Sequence, residues 1–184
     1  MLMDQHQYEL TIWVYLFVAI STFILLMFVR APYGRHERPG WGLRLPSRLG
    51  WIIMESPSII IMTVFFGLSI TKWEVLDITA TIFYIMWMVH YVHRSWFWPN
   101  RAKIRGKKMP LSIILFAVVF NSINPWINAE WIFNLNHPYP NSWIYSGQFF
   151  TGIIIFLIGM AINIRSDNIL FSLRSNDLGE YKIP

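Results

Sequence analysis

The sequence predicts an all-α integral membrane protein, a bundle of about five transmembrane helices with the N-terminus outside and the C-terminus in the cytoplasm. Three observations predict it. The chain is 55% hydrophobic and only 14% charged, whereas a soluble domain carries about 25% charge. Its uncharged windows are long enough for helical spans, which need about 20 mostly apolar residues. Its cations also collect on one side of such a bundle.

The first window lies between Glu9 and Arg30 and holds a span over residues 11–28. That run is full length and lacks a small-residue cleavage site, so it reads as a span and not as a signal peptide. The second span covers residues 50–70 and carries Glu55 and Pro57. Pro57 has no N–H for the carbonyl of Ile53, which predicts a helix bent or opened at that point. The third covers residues 78–93 and ends in His90 and His93, and the fourth covers residues 111–127. A loop rich in Asn and Pro (NLNHPYPNS, 134–142) opens the last window, whose span covers residues 147–164. The connection 30–49 is rich in Gly, Pro and Arg and is expected to be irregular.

Every Lys and Arg except Lys72 falls in segment 30–49, segment 94–108 or the tail after residue 164. Five spans put these three segments on one side, and the positive-inside rule makes that side cytoplasmic. Topology thus accounts for the net charge of +5, and nucleic acid is excluded as the partner. Cysteine is absent, so disulfides and thiolate chemistry are excluded. At 184 residues the chain suits a single domain over 1–184.

Polar groups inside spans point to chemistry. Glu55, the one carboxylate expected within a span, lies about one and a half turns into the second helix. An ionised acid there costs several kcal/mol unless paired or hydrated. The neutral acid is the cheaper state, and it can donate a hydrogen bond to a substrate oxygen. Alternatively, Glu55 reaches the interface or pairs with Arg48 or Arg94. His90 and His93 are one turn apart, but too few further ligands accompany them, so no metal site is expected. They and Tyr91 also suit an interfacial anchor. On a helix with about 100° per residue, Asn163 at 0° puts Asp167 at about 40° and Arg174 at about 20°. That stripe suits the amide, hydroxyls and phosphates of a nucleotide; an Asp–Arg pair on a solvated helix end would look the same.

Six stretches, YGRH (33–36), RLPSRLGWIIMESPS (44–58), HYVHR (90–94), RGKKMP (105–110), GMAINIRSDNILFSLR (159–174) and GEYKIP (179–184), together resemble the steroid 5α-reductase family. The resemblance implies an NADPH-dependent membrane oxidoreductase acting on CH–CH groups. It would reduce the 4,5 double bond of a 3-oxo-Δ4-steroid or a similar lipid enone. Glu55 and Tyr91 match the family residues that polarise the carbonyl. Asn163, Asp167, Arg174 and Tyr181 match its cofactor contacts, and one of Arg105 and Lys107 matches a phosphate contact. No metal is implied. The substrate would be a hydrophobic molecule entering from membrane lipid between the second and third helices, in a bacterial inner membrane or the endoplasmic reticulum. Met54 stands where steroid-reducing members have Gln, and Arg165 where they have His. The family pattern runs on beyond Pro184, so the single reductase domain is expected to be C-terminally incomplete. Two alternatives stay open: a reductase of another lipid alkene, of enoyl thioester or polyprenyl type, and a non-catalytic lipid-binding or transport protein.

Overall fold

The computed structural model describes residues 3–32, 40–73, 77–102, 104, 106–136, 139–140 and 142–173. Helix α1 (Gln5–Phe28) begins at a capping box, in which the Asp4 carboxylate accepts from Gln7 N–H and the Gln7 side chain accepts from Asp4 N–H. No residue of α1 is buried, and Trp13 and Phe17 are 70% and 72% exposed. Side chains of that kind on an outer helix are at home only in hydrocarbon.

The centre of the bundle is α2 (Ser47–Trp73) against α5 (Leu111–Glu130), the most extensive helix pair. Helix α3 (Ile78–Val92) packs on α2, with Asp77 as its N-cap. Helix α6 (Gly147–Leu173) is the longest outer helix and exposes Ile155 and Leu157. Among the described residues four helices are long and apolar enough to cross a membrane: α1, α2, α5 and α6. As a pure α-helix α3 is shorter, at 15 residues, but it continues through a π turn at His93–Phe97 into α4 (Trp98–Arg101). The chain is a multi-pass integral membrane protein.

Connection 30–49 is not wholly irregular. Arg44–Pro46 forms β1, which pairs antiparallel with β2 (Lys108–Pro110), Leu45 opposite Met109. The ladder is extended by Leu111 N–H to Leu43 C=O at 2.7 Å and by Ser47 N–H to Lys107 C=O at 2.8 Å. Gly106, at φ +80°, supplies the left-handed turn that leads into β2. Beneath the ladder Gly50 lets α2 approach closely, because a Cβ there would collide with Met109 and Ile114. The ladder ties together two of the three basic segments. Arg101 donates to the Asn168 side-chain carbonyl at 2.7 Å and lies over Phe171, which brings the end of α6 to the same end of the bundle. The grouping expected from the charges is therefore present.

The opposite end holds a second polar knot. Glu130 is fully buried. Its carboxylate accepts from Met3 N–H at 3.2 Å and from the Asn134 amide at 3.0 Å, and Lys72 donates to Asn134 at 3.1 Å. Asp77 accepts from the backbone N–H groups of Ala80 and Tyr139. Glu55 is therefore not the only carboxylate within a span. Helix α5 and the π turn that follows it, Trp131–Leu135, carry the fourth span past residue 127 and include Glu130. A charged residue ended the sequence window, whereas in the structure hydrogen bonds let it stay inside.

Candidate active site

Two prolines open backbone at one level of the central pair. Pro125, fully buried in α5, has no N–H for the carbonyl of Asn121. The Ser58 hydroxyl of α2 lies 3.4 Å from that carbonyl as a substitute donor. Pro57 lies inside α2, which runs unbroken from Ser47 to Trp73. The Trp87 indole of α3 donates to the Ser58 carbonyl at 3.0 Å, so α2, α3 and α5 meet here through polar groups.

Around this level the side chains form one network. Glu55 is buried. One of its carboxylate oxygens faces the Asn121 amide at 3.5 Å and the other faces Nε of Arg94 at 3.8 Å. The Arg94 guanidinium lies over both indoles, 4.9 Å from the Trp51 ring and 5.0 Å from that of Trp98, which pack on each other at 4.6 Å. Tyr91 stacks on Trp87 at 4.7 Å, takes a hydrogen bond from the Asn124 amide at 3.3 Å, and is electrostatically coupled to Glu55. Asn121, Asn124 and Asn128 stand on one face of α5 at spacings of three and four residues. The sequence signal for this ladder is FNSINPWINAE (120–130), three amides in an otherwise apolar span, and the sequence reading passed over it. It also passed over Arg94 as anything but a partner that neutralises Glu55.

A cavity of about 800 Å³ lies against this network. Its walls are Phe83, Met86, Trp87, His90 and Tyr91 of α3, Phe156, Gly159, Met160 and Asn163 of α6, and Asn128, Trp131 and Ile132 from the end of α5 and its π turn; Asn136, Tyr139 and Trp143 close the far end. From Phe83 to Tyr91 it runs about 12 Å along α3, at about 1.5 Å per residue. Burial pushes the Tyr139 phenol up from its ordinary value, so that hydroxyl stays neutral at the far end. Helix α2 contributes no lining residue, so Glu55 lies outside the wall, where it faces Asn121 and Arg94.

The residues singled out from sequence fall as follows. Tyr91 and Asn163 share the cavity, and Glu55 is outside its wall, held by Asn121 and Arg94. Asp167, one turn beyond Asn163, has a carboxylate oxygen that is closed off from solvent and has no hydrogen-bond partner among the described residues. Lys107 is exposed and works through its backbone in the β1–β2 tie. Arg105, Arg174 and Tyr181 lie outside the described residues. His90 lines the cavity and touches the Tyr91 ring edge-on at 5.0 Å.

The sequence profile of the family described as 3-oxo-5-alpha-steroid 4-dehydrogenase matches residues 107–184. The steroid 5-alpha-reductase DET2 of Solanum lycopersicum is 30% identical over 184 residues, which cover 98% of this chain and 70% of that protein. The chain belongs to the steroid 5α-reductase family. The DET2 of Gossypium hirsutum is 33% identical over 172 residues, 91% of this chain and 65% of the relative. The 3-oxo-5-alpha-steroid 4-dehydrogenase 1 of Bos taurus is 32% identical over 168 residues, again 65% of that protein. The chain thus spans about two thirds of the length of these reductases. The asparagine ladder, Asn163 and Asp167 lie inside the stretch matched by the family profile; Glu55 and Tyr91 precede it.

Proposed function

We propose that the protein is an NADPH-dependent membrane reductase that saturates the 4,5 double bond of a 3-oxo-Δ4-steroid or a similar lipid enone. The observation that carries this reading is the meeting of Tyr91 and Asn163 in one largely aromatic cavity, against the network of Asn121 and Arg94 that holds Glu55. Family membership supports it, since the named relatives are steroid 5-alpha-reductases. A slot of about 12 Å, largely aromatic, with His90, Tyr91 and Asn163 toward one end and Asn136 and Tyr139 at the other, suits a rigid, water-poor molecule that presents a carbonyl at the Tyr91 end.

An enone accepts hydride at its β-carbon only if charge growing on its oxygen is stabilised. Tyr91 donates to that oxygen from the cavity wall, and Glu55 supports Tyr91 from the second row. Both act where water is scarce, so a fixed donor stabilises more than it would in solution. The α-carbon then takes a proton, which completes addition of two hydrogens across the double bond. Asn163 and Asp167 fit a dinucleotide. The first offers an amide to the cavity, and the second has an oxygen with no donor, which suits a hydroxyl or carboxamide. When bound, the reduced nicotinamide supplies the hydride. Lys107, Arg105, Arg174 and Tyr181 complete the proposed cofactor set, with the basic groups at the end that the charge pattern makes cytoplasmic.

The test is product analysis with the full-length protein in membranes, given NADPH and a panel of 3-oxo-4-ene steroids, other enones, enoyl thioesters and polyprenyl compounds. Saturation of enones supports the proposal. Saturation of a thioester or polyprenyl alkene alone replaces the substrate class, and NADPH-independent binding without turnover favours a lipid-binding protein.

A further inference from the structure

The hydrogen bonds along α5 have a direction, and the direction assigns a task to two residues. The Asn128 amide nitrogen lies 2.8 Å from the Asn124 backbone carbonyl and 3.2 Å from the Asn124 side-chain oxygen. A backbone carbonyl can only accept, so the nitrogen of Asn128 is fixed as the donor and cannot be exchanged with its oxygen. The Asn124 side-chain oxygen therefore accepts from Asn128. That leaves the Asn124 nitrogen facing the Tyr91 hydroxyl at 3.3 Å, and an amide nitrogen only donates. The Tyr91 oxygen thus receives a hydrogen bond, and its own proton is turned away from α5.

The Ser58 hydroxyl also lies beside Tyr91, but its proton is directed at Asn121, 3.4 Å from the backbone carbonyl and 3.5 Å from the side-chain oxygen. Ser58 can therefore hold the Tyr91 proton only as a weak acceptor that a substrate carbonyl displaces.

We infer that Asn128 and Asn124 are positioning residues that wire Tyr91 as an obligate hydrogen-bond donor toward the cavity, so that this end selects a ligand with an acceptor oxygen and rejects one without it. The inference rests on the proposed reading of Tyr91 as the group that meets the substrate carbonyl. It goes further by giving the phenol's polarity a cause in two residues that act through Tyr91, although Asn128 also reaches the cavity wall. Interhelical amides in membranes also serve as packing glue, and the relay differs from glue in depending on which atom donates.

The experiment reverses that polarity. Aspartate at position 124 keeps the shape of asparagine and, once ionised, offers only acceptors, so it captures the Tyr91 proton; because burial favours the neutral acid, which still donates, the comparison is made across a rising pH series. Leucine there removes the relay and leaves the proton free. Binding of a 3-oxo-4-ene steroid and of the same steroid lacking the 3-oxygen is read by tryptophan fluorescence, since Trp87 stacks on Tyr91, and NADPH-dependent turnover is followed alongside. We expect the wild-type protein to bind the ketone about tenfold tighter, the worth of one hydrogen bond. Asn124→Asp should lose that preference, Asn124→Leu should keep at least half of it on a logarithmic scale, and in a Tyr91→Phe background Asn124→Asp should have no further effect. Equal losses from Asp and Leu, or an additive loss in the Phe background, would overturn the relay. A wild-type protein without ketone preference would instead overturn the proposed function itself. If Asn124→Asp does not accumulate in membranes, Asn128→Asp tests the relay from one step further away, with an intermediate loss of preference expected and no loss contradicting it.

Discussion

Removing Arg94 should destabilise the fold far more than removing both Arg94 and the acid it faces. At 3.8 Å two unit charges attract by about 4 kcal/mol at an effective dielectric of 20. Two indole faces at about 5 Å add about 1 kcal/mol each. Arg94 is 28% exposed in its side chain, which dilutes the Coulomb part, whereas Glu55 is 11% exposed and cannot regain much water once its partner is gone. Arg94→Met should therefore cost about 3 kcal/mol, in the range for breaking a buried pair from one side. For a chain of this size that is a loss of roughly 6–12 °C in Tm. Arg94→Met combined with Glu55→Gln should recover at least half of the loss, because the glutamine can still accept from Asn121. Thermal unfolding in detergent, followed by tryptophan fluorescence, measures all three variants; the chain has ten tryptophans and no cysteine for thiol dyes. If the two losses simply add, Arg94 acts by packing against the Trp51–Trp98 pair, and the ion-pair reasoning fails.

Tyr91→Phe should lower kcat by about a hundredfold, as for loss of one oxyanion donor, while NADPH affinity changes little; a loss of less than about fivefold would mean that the phenol is not the donor. Glu130→Leu should lower stability by about 2 kcal/mol, since it leaves the Met3 N–H without its acceptor and the Asn134 amide with only the Met3 carbonyl. Unfolding midpoints check this, and Glu130→Gln should be milder. Gly50→Val should cost at least about 2 kcal/mol by forcing α2 away from Met109 and Ile114, and membrane yield together with Tm reads the effect.

The helical, membrane-embedded fold was legible because hydrocarbon tolerates so few compositions: long uncharged windows and one-sided cations leave little else to build. Segments where charge is tolerated locally were not legible. Arg94 looked like the start of a loop, yet indole faces let the helix run on through a π turn to Arg101. Glu130 looked like the end of a span, yet two hydrogen bonds keep it buried in α5. The three-residue strands at 44–46 and 108–110 have no periodicity to read; their pairing depends on contacts more than sixty residues apart. At the site, Glu55 stood out as an acid in an apolar helix and Asn163 as an amide at membrane depth, whereas Tyr91 read as an interfacial anchor and was reached only through the family resemblance. The ladder of Asn121, Asn124 and Asn128 was missed because amides carry no charge and read individually as packing. Only hydrogen-bond direction, which needs coordinates, distinguishes a relay from glue.

The central claim is that an enone is held at Tyr91 and reduced there. Its most direct test is isotope transfer: NADPH deuterated at the transferring position is supplied with a 3-oxo-4-ene steroid to the full-length protein in membranes, and the product is examined by mass spectrometry and NMR. Deuterium should appear at the β-carbon of the saturated ketone, and the signal should fall about a hundredfold in Tyr91→Phe. A wild-type protein that binds both compounds and yields no deuterated product, or a Tyr91→Phe variant that transfers deuterium as fast as wild type, would contradict the account.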